Sequence, residues 1–277
     1  MIQIRDLAFA YGSTPVLKGI DMKLEDGHIY GLLGENGVGK TTLLALLCGL
    51  QRPNVGSIDV DGLKPHNRQT ALLCNMYYLP EDIRPERQRA IDWASELGPL
   101  WPKFSLSKFE EIMKELDNDS NKRMDQMSAG QLKKTYIAFA LATNVKYLLL
   151  DEPTNGLDIP SKALFRSAIM RHTAEDSVIV ITTHQVRDLE SVVDPIVILD
   201  RQEVLLNASL DTIAKHLYFD YTTEINPNAL YIEQLPGNTV QVYPNTSGTE
   251  SKVNVEALFN AMHKNKQTVK SLFNPQK

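Results

Sequence analysis

A glycine-rich segment, residues 34–42, has the composition of a phosphate-binding loop. It reads Gly-Glu-Asn-Gly-Val-Gly-Lys-Thr-Thr and matches the spacing GxxxxGK[ST]. Glycines let a backbone curl closely around phosphate oxygens and direct its N–H groups at them. In this pattern the Lys40 ammonium is predicted to pair with the β- and γ-phosphates, and the Thr41 hydroxyl to ligate Mg²⁺. The nucleotide-binding residues predicted from this loop are Gly34, Glu35, Asn36, Gly37, Val38, Gly39, Lys40, Thr41 and Thr42.

The residues on either side of the loop supply the context that this motif needs. The apolar residues 29–33 precede it and are predicted to form a buried strand, and the leucine-rich residues 43–50 follow it as a predicted helix. A helix that begins near Lys40 adds the positive end of its dipole to the site. Strand, glycine loop and helix in this order favour a phosphate-binding loop over an ordinary glycine turn.

A second candidate group is a pair of adjacent carboxylates at the end of an apolar run. Three leucines, residues 148–150, lead into Asp151 and Glu152. Successive strand residues point to opposite faces, so the two carboxylates can serve different roles. Asp151 is predicted to join the Mg²⁺ shell, and Glu152 to polarise the water that attacks a phosphate.

Two segments resemble motifs of the nucleotide-binding subunit of ABC transporters. Residues 151–158, Asp-Glu-Pro-Thr-Asn-Gly-Leu-Asp, are similar to that family's Walker B and D-loop run. Residues 127–131, Met-Ser-Ala-Gly-Gln, are similar to its LSGGQ signature and lie at the family's spacing before Asp151. The resemblance implies that Asp158 lies at a dimer contact and that the signature binds the γ-phosphate of an ATP held by the opposite subunit. The signature residues are Ser128, Ala129, Gly130 and Gln131.

Two single residues complete the resemblance. His184 ends the run Val-Ile-Val-Ile-Thr-Thr-His and matches the family's switch histidine, and Tyr11 lies where the family has an aromatic ring that stacks on adenine. The resemblance implies catalytic roles for Glu152 and His184, with ATP and Mg²⁺ as cofactors. It implies two chains that sandwich two nucleotides head to tail, as a homodimer or as a heterodimer with a related ATPase subunit. It covers residues 1 to about 205.

Two positions depart from the family pattern. Ala129 replaces the first glycine of the signature, and because alanine adopts helical backbone angles readily, activity is expected to survive. Glu81 stands where many members carry glutamine, and its carboxylate adds negative charge near Mg²⁺ but no hydrogen-bond donor. The metal-site residues implied are thus Thr41, Asp151 and Glu81. A glutamate at this position and a short interval before Ser128 resemble the exporter-like branch with a short helical subdomain.

Apolar runs of strand length alternate with a helical stretch between residues 147 and 199, which favours a parallel sheet covered on both faces. Together with the resemblance, this implies an α/β fold. We expect a P-loop NTPase (RecA-like) core with an N-terminal antiparallel β subdomain, a helical subdomain at about 82–143 and a small α+β C-terminal extension. The expected domains are an ABC-type ATPase domain, 1–205, and a C-terminal accessory domain, 206–277.

The composition excludes several classes of protein. The chain has 29 basic and 34 acidic residues and a net charge of −5, which argues against a nucleic-acid partner. Its two cysteines, Cys48 and Cys74, exclude a disulfide framework. The longest apolar run, residues 43–50, is far shorter than the roughly 20 residues that cross a bilayer. With no signal peptide expected, the predicted location is cytoplasmic, peripheral on the inner face of the cell membrane through a permease.

The sequence thus predicts an Mg-dependent ATP hydrolase that energises transport, in the export direction, through a permease carried on separate chains. The permease is expected to dock near Glu81 and residues 84–110. One alternative is a soluble ABC ATPase outside transport, such as an iron–sulfur assembly scaffold. Another is a nucleotide-dependent regulatory module with little hydrolysis, against which the set of Asp151, Glu152 and His184 argues.

Overall fold

The computed structural model describes residues 1–188 and 190–273. Residue 189 of the predicted ATPase domain and residues 274–277 of the predicted C-terminal domain lie outside these ranges. The strands are β1 (Ile2–Tyr11), β2 (Thr14–Leu24), β3 (His28–Leu33), β4 (Val55–Val60), β5 (Met76–Leu79), β6 (Tyr147–Asp151), β7 (Val178–Thr183), β8 (Ile196–Asp200), β9 (Glu203–Ala208), β10 (Leu217–Thr222), β11 (Tyr231–Leu235) and β12 (Asn238–Pro244). The α-helices are α1 (Lys40–Leu47), α2 (Thr70–Leu73), α3 (Ala90–Leu97), α4 (Leu106–Glu115), α5 (Ala129–Ala142), α6 (Ile159–His172), α7 (Leu210–His216), α8 (Val255–Lys264) and α9 (Lys266–Phe273).

A six-stranded sheet in the order β5-β6-β7-β3-β8-β9 forms the centre of the protein. The first five strands are parallel, and β9 runs antiparallel to β8 at the edge. Every residue of β6 and β7 is buried because both faces of the sheet are covered. Leu148 and Leu150 face the core shared with α3–α6, whereas Tyr147 and Leu149 face the core shared with α1. This confirms the predicted parallel sheet with two covered faces.

The N-terminal strands form a separate antiparallel sheet in the order β2-β1-β4. In its register Ile4 lies opposite both Met22 and Ile58. The apolar side chains of this sheet share one core with the leucines of α1. This arrangement confirms the predicted antiparallel β subdomain and explains how it supports the helix that follows the glycine loop.

Helices α3, α4 and α5 pack around one aromatic side chain, Phe139. The rings of Trp93, Phe104 and Trp101 lie 4.5, 5.2 and 5.6 Å from its ring. At Gly98 a Cβ would lie only 2.2 Å from the Phe104 ring, so the close approach of backbone and ring requires glycine there. Gly98 thus lets the segment between α3 and α4 pack closely against the aromatic core.

The C-terminal residues form a second antiparallel sheet, in the order β10-β12-β11, with α7, α8 and α9 beside it. Strand β9 carries the chain across residue 205, where the sequence places a domain boundary, because it pairs with β8 as far as Ala208. Apolar residues of both parts, among them Leu205 and Leu258, belong to one continuous core cluster. In the described ranges no helix combines the length and the hydropathy that crossing a membrane requires.

Candidate functional site

Most of the residues singled out from the sequence line one cavity of about 610 Å³ at the carboxyl ends of β3, β6 and β7. Ligand sites of open α/β sheets lie at this edge. Val16 and Asn155 line it in addition to the predicted residues. The predicted residues that line it are Tyr11, Asn36, Gly37, Gly39, Lys40, Thr41, Thr42, Glu81, Asp151, Glu152 and His184.

The glycine loop connects β3 to α1 with its backbone close to neighbouring strands. Gly39 has φ of +110°, a conformation that favours glycine, and a Cβ there would also crowd Val16 at 3.0 Å. A Cβ at Gly34 would lie 2.6 Å from the Leu199 carbonyl oxygen. Gly34, Glu35 and Val38 shape the loop without lining the cavity. The start of α1 lines the cavity, and its first N–H groups have no acceptor within the helix, which suits an anion.

Lys40 extends into the interior of this loop. Its Nζ donates hydrogen bonds to the carbonyl oxygens of Gly34 (2.8 Å) and Glu35 (3.2 Å), and it lies 3.9 Å from Glu152 Oε1. Burial lowers the pKa of the Lys40 ammonium, and the carboxylates of Glu152, Asp151 and Glu81 act in the opposite direction. The cavity thus holds one buried cation directed by the loop that surrounds it.

Asp151 is held by two hydroxyl groups from neighbouring strands. Thr182 Oγ1 of β7 donates to Asp151 Oδ1 at 2.6 Å, and the Tyr78 hydroxyl of β5 donates to Oδ2 at 3.3 Å. Burial and the nearby Asp151 carboxylate raise the pKa of Tyr78, so its hydroxyl remains a donor. Asp151 itself is buried at the end of β6. Its orientation therefore depends on three adjacent strands.

Glu152 leaves the strand in the left-handed region, with φ of +45°, which is uncommon for a residue with a side chain. Its N–H donates to Thr182 Oγ1 at 2.8 Å, and its carbonyl oxygen accepts from the Asn155 N–H at 3.1 Å. Glu152 Oε2 lies 2.9 Å from His184 Nδ1. The backbone strain is thus offset by the turn that follows, and it directs the carboxylate between Lys40 and His184.

Glu81 contacts the loop that follows Glu152. The Asn155 side-chain amide donates to Glu81 Oε1 at 3.0 Å. The Glu81 carbonyl oxygen accepts a 2.7 Å hydrogen bond from Lys133 Nζ, which reaches across from α5. Burial lowers the pKa of Lys133. Glu81 therefore lines the cavity and also contacts both the loop after β6 and the helix that begins at the signature.

Tyr11 lies at the mouth of the cavity, at the end of β1. Its ring is 51% exposed and stands edge-on to Phe9 at 4.9 Å. Tyr11 thus remains half exposed at the residue to which the resemblance assigns adenine stacking.

The signature residues do not line this cavity. Ser128 caps α5, with its Oγ accepting from the Gln131 N–H and Gln131 Oε1 accepting from the Ser128 N–H. Ala129 is the first residue of the helix, so its backbone is helical as expected. At Gly130 a Cβ would lie 3.5 Å from the Gly156 carbonyl oxygen, which puts the signature beside the loop of residues 151–158.

Asp158 also lies outside the cavity and caps α6. Its Oδ1 accepts from the Ser161 N–H at 2.9 Å. The Ser161 side chain and backbone lower the pKa of this carboxyl by hydrogen bonding. Asp158 is exposed, so it is free to contact another molecule.

Sequence reasoning did not single out Asn155, Thr182 or Gln185. Asn155 lies inside the run of residues 151–158, and the other two flank His184 closely. All three are polar residues at or just after the carboxyl end of a buried strand. That position could have identified them, because a polar group there needs a hydrogen-bond partner.

The family model described as ABC transporter matches residues 17–155. The ABC transporter ATP-binding protein YtrB of Bacillus subtilis (strain 168) is 28% identical over 233 residues, which cover 82% of this chain and 79% of YtrB. The Nod factor export ATP-binding protein I of Rhizobium meliloti (strain 1021) is 24% identical over 260 residues, which cover 87% of this chain and 77% of that protein.

The fold is also that of solved ATP-binding cassettes. The dimeric, post-hydrolysis structure of one such cassette, bound to ADP and Pi, superposes with a TM-score of 0.67 at 20% identity. The superposition covers 76% of this chain and 99% of that one. The family match spans half of the chain and contains the glycine loop, the signature and the two carboxylates. The chain therefore belongs to the ABC transporter family, as an ATP-binding subunit that hydrolyses ATP.

Proposed function

We propose that Glu152 is the general base of ATP hydrolysis and that the chain powers a permease carried on separate chains. The observation that carries the first part is the position of the Glu152 carboxylate. It is buried in the cavity, with one oxygen 3.9 Å from Lys40 Nζ and the other 2.9 Å from His184 Nδ1. A base must lie within reach of the water that it polarises, and a carboxylate that lines the cavity and is held from two sides is well placed for that role.

The residues of the cavity fit a Mg²⁺ ion that accompanies ATP. Three carboxylates, from Glu81, Asp151 and Glu152, face one ammonium there, so a polyphosphate alone would meet net negative charge. Mg²⁺ prefers oxygen ligands, and Thr41, Asp151 and Glu81, which all line the cavity, offer them. When bound, the ion would neutralise charge on the β- and γ-phosphates. Lys40 and the N–H groups of the loop would bind and orient the phosphates.

The signature is proposed to act on a nucleotide held by a second copy of the chain or by a related subunit. Ser128 and Gly130 lie at the start of α5, away from the cavity of their own chain, beside the exposed Asp158 loop. A helix N-terminus favours an anion, and the γ-phosphate of the partner's ATP is one. The dimeric state of the solved cassette with the same fold supports this arrangement.

An apolar groove of about 500 Å³ is the proposed docking site of the permease. Two leucines on its rim are largely exposed, Leu50 at 55% and Leu100 at 63%. Tyr78 lines the groove and also donates to Asp151, so a segment seated there would touch the nucleotide site through one side chain. Leu100 and Trp101 of the groove belong to the region, residues 84–110, that the sequence assigns to the permease, and the other lining residues precede that region. Its lining residues are Cys48, Leu50, Arg68, Thr70, Leu73, Cys74, Met76, Tyr78, Leu100 and Trp101.

Export is the proposed direction, with the chain peripheral on the cytoplasmic face through its permease. The similarity to a Nod factor export protein and the glutamate at position 81 support it. An iron–sulfur assembly scaffold is the competing function. It would need no membrane partner.

The test combines hydrolysis with copurification. We expect the wild-type chain to hydrolyse ATP, and Glu152→Gln to retain ATP binding while kcat falls by at least about 100-fold. Near-normal turnover of the variant would remove Glu152 as the base. Coexpression with the multi-spanning membrane protein of a neighbouring gene, followed by detergent purification, should yield a stoichiometric complex. Recovery of the chain with soluble iron–sulfur proteins instead would favour the scaffold.

A further inference from the structure

The His184 ring lies between two hydrogen-bonding partners. Its Nδ1 is 2.9 Å from Glu152 Oε2, and its Nε2 is 3.4 Å from the side-chain Nε2 of Gln185. The His184 backbone N–H also points at the same Glu152 oxygen, at 3.4 Å. Both ring nitrogens are therefore engaged, one by a carboxylate and one by an amide.

A lysine from α6 determines which end of the Gln185 amide faces the ring. Lys162 Nζ lies 2.9 Å from Gln185 Oε1. An ammonium only donates hydrogen bonds, so the amide oxygen must face Lys162 and the amide NH₂ must face His184. The NH₂ group in turn only donates, so His184 Nε2 must accept. The ring is then neutral, with its proton on Nδ1, where it donates to Glu152.

Lys162 is itself held in place on α6. Its Nζ lies 2.6 Å from Asp188 Oδ2, and both side chains are only 16% exposed. Arg166, one turn further along α6, donates to the Asp188 carbonyl oxygen at 3.0 Å. The lysine has two acceptors, the Asp188 carboxylate and the Gln185 amide, so its ammonium is oriented by the same segment that carries His184.

We infer that Lys162 and Gln185 are positioning residues that hold His184 as the neutral Nδ1–H tautomer against the Glu152 carboxylate. The chain of donors runs from Lys162 through Gln185 and His184 to Glu152. Lys162 also lies one turn after Asp158, and its N–H donates to the Asp158 carbonyl oxygen at 2.9 Å. A partner that contacts Asp158 would therefore act on a turn that ends at Lys162, the hydrogen-bond partner of Gln185.

The tautomer can be measured on the full chain without nucleotide, by ¹⁵N NMR of histidine side chains. The signal of His184 is assigned by its loss in His184→Gln, and the other five histidines serve as internal controls. We expect the Nδ1–H signature for His184 in the wild type. An Nε2–H signature there would overturn the inference.

Two variants and one matched control test the chain of donors. In Gln185→Glu both side-chain oxygens only accept, so His184 must also donate from Nε2 and should show the doubly protonated signature. In Lys162→Met the amide loses its orientation, and both tautomers should appear. Lys162→Arg keeps a donor and should retain the wild-type signature. If Gln185→Glu and Lys162→Met both leave the His184 signature unchanged while the proteins remain folded, the inference is wrong.

The predicted change in turnover rests on the proposed roles of Glu152 and His184 in hydrolysis. The predicted tautomer of His184 does not rest on those roles. We expect kcat of Gln185→Glu to fall about ten-fold with KM for ATP changed less than about two-fold, as for other groups that orient a site residue. An altered tautomer with normal kcat would contradict a positioning role of Gln185 in hydrolysis. The role of Glu152 as the base is tested separately, by Glu152→Gln.

Discussion

The Thr182 hydroxyl donates a 2.6 Å hydrogen bond to Asp151 from the neighbouring strand. The same oxygen accepts the N–H of Glu152 at 2.8 Å, and Thr182 is fully buried. One hydroxyl thus fixes the carboxylate proposed for Mg²⁺ and the backbone of the proposed general base. Neither residue can move without breaking a buried hydrogen bond, which gives the pair its rigidity.

Removing the Thr182 hydroxyl should lower both the stability of the protein and its affinity for a divalent cation. Thr182→Val keeps the shape of the side chain but leaves the Glu152 N–H unsatisfied, so the free energy of unfolding should fall by about 1–3 kcal/mol. Affinity for Mn²⁺ as a probe ion in the presence of ATP should fall roughly 10–100-fold, because Asp151 loses its orienting partner. Thr182→Ser keeps the hydroxyl and is the control. Equal Mn²⁺ affinity of the Val and Ser variants would show that Asp151 does not depend on this bond.

Lys40 should strengthen nucleotide binding but reduce the stability of the nucleotide-free protein. Because burial lowers its pKa, the folded state disfavours the charged form, and at neutral pH the ammonium reduces the stability of the nucleotide-free protein. Lys40→Met should therefore weaken ATP binding by roughly 10–100-fold, as expected for loss of a charge-assisted contact, while Tm without nucleotide stays equal or rises. Calorimetry and thermal unfolding measure the two effects. A lower Tm in the variant would mean that the bonds of Lys40 to the loop carbonyls outweigh its burial.

The contact between Glu81 and Asn155 should respond to charge. Asn155→Asp places two carboxylates at the 3.0 Å separation of the present hydrogen bond, so they repel. We expect Tm to fall by about 2–4 °C. Adding Glu81→Gln lets the amide at position 81 donate to the carboxylate at position 155, and it should restore most of the lost Tm. Lack of rescue in the double variant would indicate that the two side chains do not interact in solution.

The apolar groove should be needed for the membrane partner but not for hydrolysis. Leu100→Glu puts a charge on the groove rim at a side chain that is 63% exposed, so folding should be unaffected. The variant should lose copurification with the permease and retain the ATPase rate of the isolated chain. Met170→Glu, on α6 at 60% exposure, is the matched control and should copurify normally. Equal copurification of both variants would place the permease elsewhere.

Local sequence determined the elements and the chemistry of the cavity. The glycine loop, Lys40 and Thr41 are contiguous, so their geometry follows from backbone rules that act over a few residues. The apolar runs before Asp151 and His184 identified buried strands, and polar residues at their ends therefore belong at one edge of the sheet. The fold class followed from the same runs together with the family resemblance.

The tertiary structure alone decided which of these side chains touch. Thr182 reaches Asp151, and Asn155 reaches Glu81, across 31 and 74 residues of chain. These contacts depend on the pairing of β5 with β6 and of β6 with β7, strands that helices separate along the chain and that the sheet places side by side. The tautomer of His184 likewise depends on Lys162, which α6 brings to Gln185. A hydrogen bond needs its atoms placed within a few tenths of an ångström, and only the packed sheet and helices set such distances between segments far apart in the chain.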